Sequence, residues 1–322
     1  MNKINWKKHI LGSLKIAAAA LLAILIAGEL GLKNSATAGI ITILSIRGTK
    51  RETLQSVINR GVAYLCALVL AYFSFQILGY TWTAFAVYLF FFAFVCMSAG
   101  WQEAISSDSV LITHFLSAGN MGIDMLVNES LLFVIGAGVG VMVNLHLHKK
   151  EADFERLAGD VDEQIKGILC RMARWLRVSD KSEYGSTCFD KLEETIRQAK
   201  LCAASNFNNS LWEKDTYELD YIRMRQQQAV VLKGIYRNIK MIDCSLSQAE
   251  KVADLFVEVE QAYHRENTVE GLLEKLQDFL EEMKQEELPG DRAEFEARAI
   301  LFYILTQMEE LLQIKRKFIM DR

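Results

Sequence analysis

The residues of this sequence with the greatest capacity for chemistry are charged side chains that lie inside long apolar segments. Arg60 is seven residues into an apolar segment that runs from Thr53 to Leu78, and Asp108 lies in another, from Glu103 to Gly119. Even the milder insertion scales assign about 2.5–3.5 kcal/mol to an Asp or Arg at the centre of a membrane helix. Ionisable residues kept in such segments commonly pair with one another or line the path of a substrate.

Three roles are open to Arg60. It could neutralise Asp108 in a structural ion pair, because the two residues lie at similar depths in their segments. It could instead face a pathway and attract a carboxylate, with Asp108 as a candidate for proton coupling. Its long side chain could also simply extend to the membrane surface. The sequence leaves all three roles open.

A line of polar residues runs along the segment that holds Asp108. Its members, spaced three or four or seven apart, are Glu103, Ser106, Thr113, Ser117 and Asn120. Residues at such spacings share one face of a helix, and Asp108 points away from that face. A one-sided polar face on a membrane helix indicates either a helix contact or a watery path. His114, beside this face, could relay protons in a coupled carrier or could make a hydrogen bond in a packed interior.

The segment from Ser35 to Ile46 is only about half as long as a membrane crossing. It begins with small and hydroxyl residues, among them Ser35 and Thr37. Short or interrupted spans often mark substrate sites, because exposed helix ends hold ions. The alternative is a plain helix that continues through Arg47.

Gly136, Gly138 and Gly140 occupy alternate positions in the last apolar segment and include a GxxxG spacing. A phosphate-binding loop is excluded, because no strand precedes these glycines and no lysine follows at the required spacing. Glycines on a membrane helix allow a second helix to approach closely. We therefore expect helix packing here, within one subunit or between the subunits of a homodimer.

No catalytic constellation accompanies these residues. The sequence has no Ser-His-Asp arrangement and no nucleotide fingerprint, and His146 and His148 alone are weak metal ligands. The six cysteines are scattered without zinc spacing and are expected to be free thiols. We therefore expect a protein that is not an enzyme, with no metal and no cofactor.

The elements that position these residues are six apolar segments within residues 1–150. A helix needs about 20 residues to cross a bilayer, because each residue adds about 1.5 Å. The segments are Ile10–Leu30, Ser35–Ile46, Thr53–Leu78, Thr81–Ala99, Glu103–Gly119 and Asn128–Leu147. They predict a six-helix transmembrane bundle, which lipid surrounds.

Basic residues at the turns predict the orientation of the bundle. If every segment crosses, three clusters fall on one side: Lys3, Lys7 and Lys8; Arg47, Lys50 and Arg51; and Lys149 and Lys150. The short loops of the other side keep only Lys33. Because cytoplasmic loops carry the excess of Lys and Arg, we expect an inner-membrane protein with both termini in the cytoplasm. A cleaved signal peptide is disfavoured, since the first apolar core is too long and more spans follow.

Residues 151–322 have a different composition. They hold 25 Lys and Arg against 34 Asp and Glu, whereas residues 1–150 hold 11 against 6. Apolar residues recur at steps of three and four from Phe154 to Trp175 and in five later runs, which is typical of amphipathic helices. The segment therefore predicts an all-α, cytoplasmic helical domain. Its acidic balance argues against nucleic acid as a partner.

Several strings of residues, taken in order, resemble those of one known family. They are Ala38–Ile46 with Thr49–Thr53, then Arg60 eight residues after Glu52, then Ser107–Leu116, and finally Tyr221–Gln227, which is similar to a Met-Arg-x-x-Gln signature. Together they resemble the bacterial aromatic acid exporter family, within the fusaric-acid-resistance-like superfamily. In place of the family's Gln and frequent Pro after the Leu-Ser-Ile string, this chain has Arg47 and Gly48.

The resemblance implies an exporter of small organic anions, in particular aromatic carboxylic acids, that works as a homodimer. With no nucleotide site, the proton gradient or the membrane potential would supply the energy. Arg60 would attract the carboxylate, and aromatic residues of the fourth segment would contact the ring. The candidates for the substrate pathway are Arg60, Asp108, His114, Thr113, Ser117, Ser35 and Thr37. The alternative is a membrane-anchored sensor or scaffold in which the helical domain is the working part.

Overall fold

The computed structural model describes residues 6–145, 150–178, 185–211, 215–242, 247–265 and 267–322. Within these ranges the chain forms twelve α-helices and no β-strand, as expected for an all-α protein. The helices belong to two compact units. The first comprises Met1–Lys149 and Asn208–Glu213, and the second comprises Lys150–Phe207 and Lys214–Arg322.

The first unit contains six helices at the positions of the six apolar segments. They are α1 (Trp6–Glu29), α2 (Ala36–Ser45), α3 (Lys50–Leu78), α4 (Trp82–Ala99), α5 (Ala104–Ala118) and α6 (Ile123–Leu145). Among the described residues, α1, α3, α4 and α6 are long and apolar enough to cross a membrane. Helices α2 and α5, with 10 and 15 residues, are about 15 and 22 Å long and fall short of a bilayer core. By length and composition alone, four of the described helices could each cross a membrane, and the six crossings expected from the sequence stay a prediction.

Short-range signals set the ends of these helices. The Thr49 side chain accepts the backbone N–H of Glu52 at 3.3 Å and caps α3, and Thr81 caps α4 through Ala84 at 3.2 Å. Such caps satisfy N–H groups that have no partner inside the helix. Helix α4 ends at Gly100, whose φ of 75° is a left-handed conformation that favours glycine.

The apolar interior of the first unit is divided between two groups of helices. One core is built by α3, α4 and α5 and includes Phe92 and Phe115. The other is built mainly by α1, α2 and α6 and includes Ile41 and Leu132, with Tyr64 contributed by α3. We call the boundary along which α3 and α5 face α2 and α6 the seam.

Helix α2 lies directly against α6, and two glycines make this possible. A Cβ atom added to Gly136 would lie 2.5 Å from the carbonyl oxygen of Ala38, and one on Gly140 would lie 2.8 Å from Cβ of Ser45. The Thr42 hydroxyl also donates to the carbonyl of Gly136 at 3.0 Å. Contacts this short admit no larger side chain on α6.

The close packing predicted for the glycines is therefore made within one subunit. Gly136 and Gly140 are covered by α2, so the dimer contact inferred for them from the sequence does not fit the structure. Gly138 differs, because a Cβ atom there would have no other atom within 4 Å. The sequence could not separate these positions, since alternate glycines on a helix face different neighbours.

Replacing Gly136 with Leu should detach α2 from α6. The new side chain would meet the backbone of α2, which cannot move aside as a flexible side chain can. We expect low levels in the membrane and early thermal unfolding in detergent. Gly138→Leu is the matched control, since the same side chain has open space there. Equal yield and equal unfolding temperature for the two variants would contradict this account.

The second unit is a bundle of amphipathic helices. They are α7 (Glu151–Leu176), α8 (Thr187–Asn209), α9 (Tyr217–Ile239), α10 (Ser247–Gln261), α11 (Glu270–Gln285) and α12 (Arg292–Met320). The predicted face of α7 is inside the core, where Phe154, Val161 and Ile165 are fully buried. Pro289 and Gly290 lie between α11 and α12.

A buried arginine organises the centre of the second unit. Arg225 of α9 is 0% exposed, and its Nε lies 2.9 Å from a carboxylate oxygen of Asp162 on α7. Its Nη1 donates to Gln228 at 2.8 Å and to the Tyr263 hydroxyl at 2.6 Å. Burial alone would lower the pKa of Arg225, but Tyr263, Tyr221 and Asp162 outweigh it and raise that pKa above its usual value. The family-like signature that contains Arg225 thus forms a hydrogen-bonded core.

Lys315 of α12 is a second buried cation in this unit. It is 2% exposed, and its Nζ donates to the carbonyl oxygen of His264. Burial, with a smaller contribution from Arg225, lowers the pKa of Lys315 to about 8 from the ordinary 10.5. Between these values the unfolded chain binds more protons than the folded chain, so this group makes the fold more stable as pH rises.

Lys315→Met should remove that rise and stabilise the second unit near neutral pH, where the wild-type lysine is still charged and buried. We would compare unfolding of the full chain in detergent at about pH 7 and about pH 9.5, followed by circular dichroism. Lys317→Met, at an exposed position two residues away, is the control. A variant with the same pH dependence as wild type would show that Lys315 is charged throughout.

Some predictions concern residues that the structure does not describe. The basic residues Lys3 and Lys149, the histidines His146 and His148, and Cys244 all lie outside the described ranges. The other five cysteines are free thiols, as predicted from their scattered positions.

Candidate functional site

Arg60 lies ten residues after the start of α3, and its guanidinium is enclosed within the first unit. The residue is 2% exposed, and its Nε and Nη1 have no hydrogen-bond partner. A buried donor without an acceptor costs about 1–3 kcal/mol, and such groups are rare in native structures. A buried cation with free N–H groups is the arrangement expected where an anion is bound.

Asp108 of α5 is also fully buried, at 0% exposed. Its Oδ1 accepts a hydrogen bond from the Ser107 hydroxyl at 2.9 Å, while Oδ2 has no partner. The charges of Arg60 and Asp108 are close enough to interact. Among the described residues, however, neither side chain forms an ion pair within 4.0 Å.

These positions bear on the three roles that the sequence left open for Arg60. The neutralising pair with Asp108 is not formed as a direct contact, because Asp108 bonds to its own neighbour instead. Extension to the membrane surface does not fit a side chain that is 2% exposed. The buried Nε and Nη1 atoms, which have no partner, are compatible with an anion contact, and that role stays a prediction.

Two hydroxyl groups accompany Asp108. Tyr88 of α4 and Ser109 of α5 lie beside it, and their hydroxyl oxygens are buried without a hydrogen-bond partner. Tyr88 is 0% exposed and stacks on Phe92, with ring centroids 5.4 Å apart. We call Arg60, Tyr88, Asp108 and Ser109 the polar cluster. It combines a cation, an acid, two hydroxyls and an aromatic wall.

Only part of the aromatic surface of α4 is turned to the interior. Phe90, Phe91 and Phe94, which the sequence offered as ring contacts, are exposed on the outside of the unit. Phe92 is buried, and Phe85 packs beside Tyr88 with centroids 5.6 Å apart. Tyr88 and its two neighbours are therefore the part of this aromatic surface that is turned to the interior.

Arg47, the residue that departs from the family pattern, forms an ion pair with Glu103. Glu103 also accepts a hydrogen bond from Ser56 at 3.0 Å. Both charges act on Arg60. Arg47 is thus partly neutralised, whereas Arg60 has no ion pair among the described residues.

The polar line on α5 faces outward from the first unit. Ser106 and Ser117 are exposed, and the half-buried Thr113 donates to the carbonyl of Val110 at 2.6 Å. Asp108 points to the interior, on the opposite side of the helix. The predicted pathway residues Thr113 and Ser117 are therefore not brought together with Arg60.

Ser35 and Thr37 also lie apart from the polar cluster in the hydrogen-bond network. Ser35 is half-buried at the start of α2 and its side chain makes no capping bond, while Thr37 is 5% exposed. Among the described residues no hydrogen bond joins either side chain to the polar cluster. The short helix is used for packing against α6.

His114 has a partner that sequence analysis missed. Its Nδ1 lies 2.6 Å from Oε2 of Glu129 on α6, and Glu129 is 0% exposed. Asn128 donates to the other oxygen of Glu129 at 2.9 Å. Glu129 was passed over because polar residues are ordinary near the start of a span. The consecutive polar residues 128–130 within an apolar helix were the available signal.

Metal binding has no support in the described part of the chain, where no group of three or more His, Cys, Asp or Glu side chains could hold an ion. The polar cluster is suited to binding a charged organic molecule by ionic and hydrogen bonds, because it holds one acid, one cation and two neutral hydroxyls.

Comparison with known proteins gives a family match for each half of the chain. Residues 10–147 match the family described as "Aromatic acid exporter family member 1", and residues 151–316 match "Putative aromatic acid exporter C-terminal domain". The chain belongs to the aromatic acid exporter family. This confirms the family that the sequence strings resembled, and it fits the apolar helices of a membrane protein.

One similar protein matches nearly the whole length of this chain. The chain is 28% identical over 306 residues to the "Uncharacterized protein YqjA" of Bacillus subtilis (strain 168), which covers 95% of each chain. It also resembles a solved structure, titled "Crystal structure of putative membrane protein from Clostridium difficile 630", at 25% identity. That match covers 52% of this chain and 98% of the other, with a TM-score of 0.46, too low to support an argument.

Proposed function

We propose that this member of the aromatic acid exporter family moves small organic anions, in particular aromatic carboxylates, out of the cell across the inner membrane. The observation that carries the proposal is Arg60, a buried cation with unpartnered N–H groups inside a membrane unit. A carboxylate matches those donors in charge and as a hydrogen-bond acceptor. The stacked rings of Tyr88 and Phe92 offer a surface for an aromatic body.

The proton gradient or the electrical potential across the membrane would supply the energy for export. A potential of 100 mV is worth about 2.3 kcal/mol per elementary charge, enough to drive a monovalent anion outward. The proposed orientation keeps both termini in the cytoplasm, in agreement with the basic residues near Lys50 and Arg51. In that orientation the second unit is cytoplasmic, where it would regulate the carrier or support its assembly.

Efflux from sealed vesicles tests the proposed function. Vesicles with and without the protein would be loaded with labelled acids from a panel of aromatic and aliphatic carboxylates. We expect faster loss of aromatic acids from vesicles that contain the protein. Equal rates across the whole panel would overturn the exporter proposal and favour a membrane-anchored sensor or scaffold.

We propose further that the protein is a homodimer in which α5 contacts its counterpart. Ser106 and Ser117 lie on an exposed face of α5, and polar groups on a membrane helix gain from covering by another helix. Cysteine at Ser117 should then give a crosslinked dimer in lipid. Cysteine at Leu65, an exposed position on α3, is the control. Efficient crosslinking at Leu65 but not at Ser117 would exclude this interface.

A further inference from the structure

Glu129 is a carboxylate held in a fixed position deep in the first unit. Both of its oxygens have partners, His114 Nδ1 at 2.6 Å and Asn128 Nδ2 at 2.9 Å. Asn128 is itself fixed by the backbone of Lys33, whose N–H donates to its Oδ1 at 2.8 Å and whose carbonyl accepts from its Nδ2 at 3.2 Å. The loop before α2 thus orients the side-chain amide of Asn128. That amide in turn orients the carboxylate of Glu129.

The two side chains of the pair differ in their exposure. The Glu129 side chain is 0% exposed, whereas that of His114 is 16% exposed. Within the pair, the imidazole is therefore the member that lies nearer to the surroundings. Histidine is suited to passing a proton on, because its two ring nitrogens can accept a proton on one side and deliver one on the other.

Few other charged groups face this pair. Helix α3 presents Tyr64 and α5 presents Asp108 in addition to His114. Helix α2 has no titratable residue in its sequence. On α1, Lys15 donates to Asn144 at the other end of α6, and Glu29 is exposed at the end of its helix. His114 is the titratable side chain that contacts the Glu129 carboxylate directly.

In an apolar environment, such a pair of ionisable groups is most stable when its net charge is zero. Glu129 and His114 are neutral together when they share one proton, as either a carboxylate with an imidazolium or an acid with an imidazole. Gain or loss of a proton leaves a net charge in a region of low dielectric constant, which is costly. A proton gained or lost by the pair therefore changes the charge that acts on neighbouring groups.

Tyr64 connects the pair with the polar cluster. Its hydroxyl lies 3.5 Å from the Ser130 hydroxyl, and it is close enough to both Glu129 and Asp108 for their charges to act on it. Its ring stacks on Phe133 of α6, with centroids 5.4 Å apart. Tyr64 thus lies between the two buried carboxylates.

We propose that Glu129 and His114 form a proton-binding site, loaded through the imidazole, that makes anion movement at the polar cluster respond to pH. The ligand of this site is a proton, and Tyr64 transmits the change of charge toward Asp108. The role in transport rests on the proposed exporter function, whereas the proton site itself can be tested without a substrate.

Infrared difference spectra of the full chain in lipid, between about pH 5 and about pH 8, test the site directly. We expect a band of a protonated carboxylic acid in the wild-type protein that is absent from the spectrum of Glu129→Gln. His114→Gln, which removes the partner of one Glu129 oxygen, should alter this band. Glu29→Gln, which removes an exposed carboxylate of α1, should keep the band. A spectrum of Glu129→Gln identical to that of wild type would overturn the proposal.

Transport of labelled isophthalate in proteoliposomes tests the coupling, because its two charges prevent leakage through lipid. We expect Glu129→Gln to lose the response of transport to a pH gradient, while Glu29→Gln keeps it. A full response in Glu129→Gln would overturn the coupling. Wild-type protein that moves neither isophthalate nor any other acid of the panel would refute the exporter function instead, and the infrared result would still decide the proton site.

Discussion

Arg60→Gln is expected to abolish anion export while the protein level and the fold remain unchanged. The guanidinium is the buried cation whose Nε and Nη1 have no partner, so its removal takes away the charge that attracts a carboxylate. Asp108 would not lose a direct ion pair, because none is formed within 4.0 Å. Efflux from vesicles and membrane yield, measured on the same preparation, check the two halves of this prediction.

A double variant separates attraction of a substrate from charge balance. Arg60→Met with Asp108→Leu removes both charges together, so a purely structural role of Arg60 would be satisfied. We expect normal abundance and no export. Normal abundance with full export would rule out an anion contact at Arg60. Lys33→Gln, which removes an exposed loop cation of the same unit, is the control for a general effect of positive charge.

Arg225→Met is expected to unfold the second unit. The guanidinium satisfies Asp162, Gln228 and Tyr263 at once, and its loss leaves these groups without their partner in the interior. Removal of one member of a buried ion pair costs about 3–5 kcal/mol, a large part of the stability of a typical domain. Proteolysis of the full chain in membranes should release fragments of residues 151–322 from this variant.

Arg223→Met is the matched control, because Arg223 lies two residues away on α9 with its side chain 72% exposed. Exposed ion pairs contribute little, so this variant should resist protease as wild type does. Adding Asp162→Asn to Arg225→Met should restore part of the resistance, since the uncompensated carboxylate is then removed. Equal resistance of the two single variants would show that the Arg225 network does not hold the unit together.

The sequence predicted the helices well, because helix periodicity and helix ends depend on near neighbours. The inward side of α7 followed from the spacing of Phe154, Val161 and Ile165, and all three are buried. The inward direction of Asp108 followed from the apolar residues on its side of α5. Such features need only the repeat of 3.6 residues per turn.

Partners between helices were harder to predict. The sequence suggested an ion pair of Arg60 with Asp108, but the bond of Asp108 to Ser107 depends on rotamers that the sequence does not show. Gly136 and Gly140 were correctly expected to allow close packing, yet their neighbour proved to be α2 of the same chain. Spacing shows that a surface is smooth and does not show which helix will use it.

The candidate site was only partly predictable for the same reason. Arg60 and Asp108 stood out as charges in apolar segments, whereas Tyr88 was one aromatic residue among many on α4. Glu129 gained importance only through His114, fifteen residues away along the chain and 2.6 Å away in space. A buried network becomes visible when the distances between side chains are known.

The division of the first unit into two apolar cores has a mechanical consequence. Helices α3, α4 and α5 could rock as one rigid body against α1, α2 and α6, about an axis along the seam. Such a rotation would leave the glycine contacts of α2 intact and would strain the His114–Glu129 bond and the Tyr64–Phe133 stack. Arg60 would travel with one body and Glu129 with the other. The His114–Glu129 bond would then be a hydrogen bond that joins the two bodies across the seam.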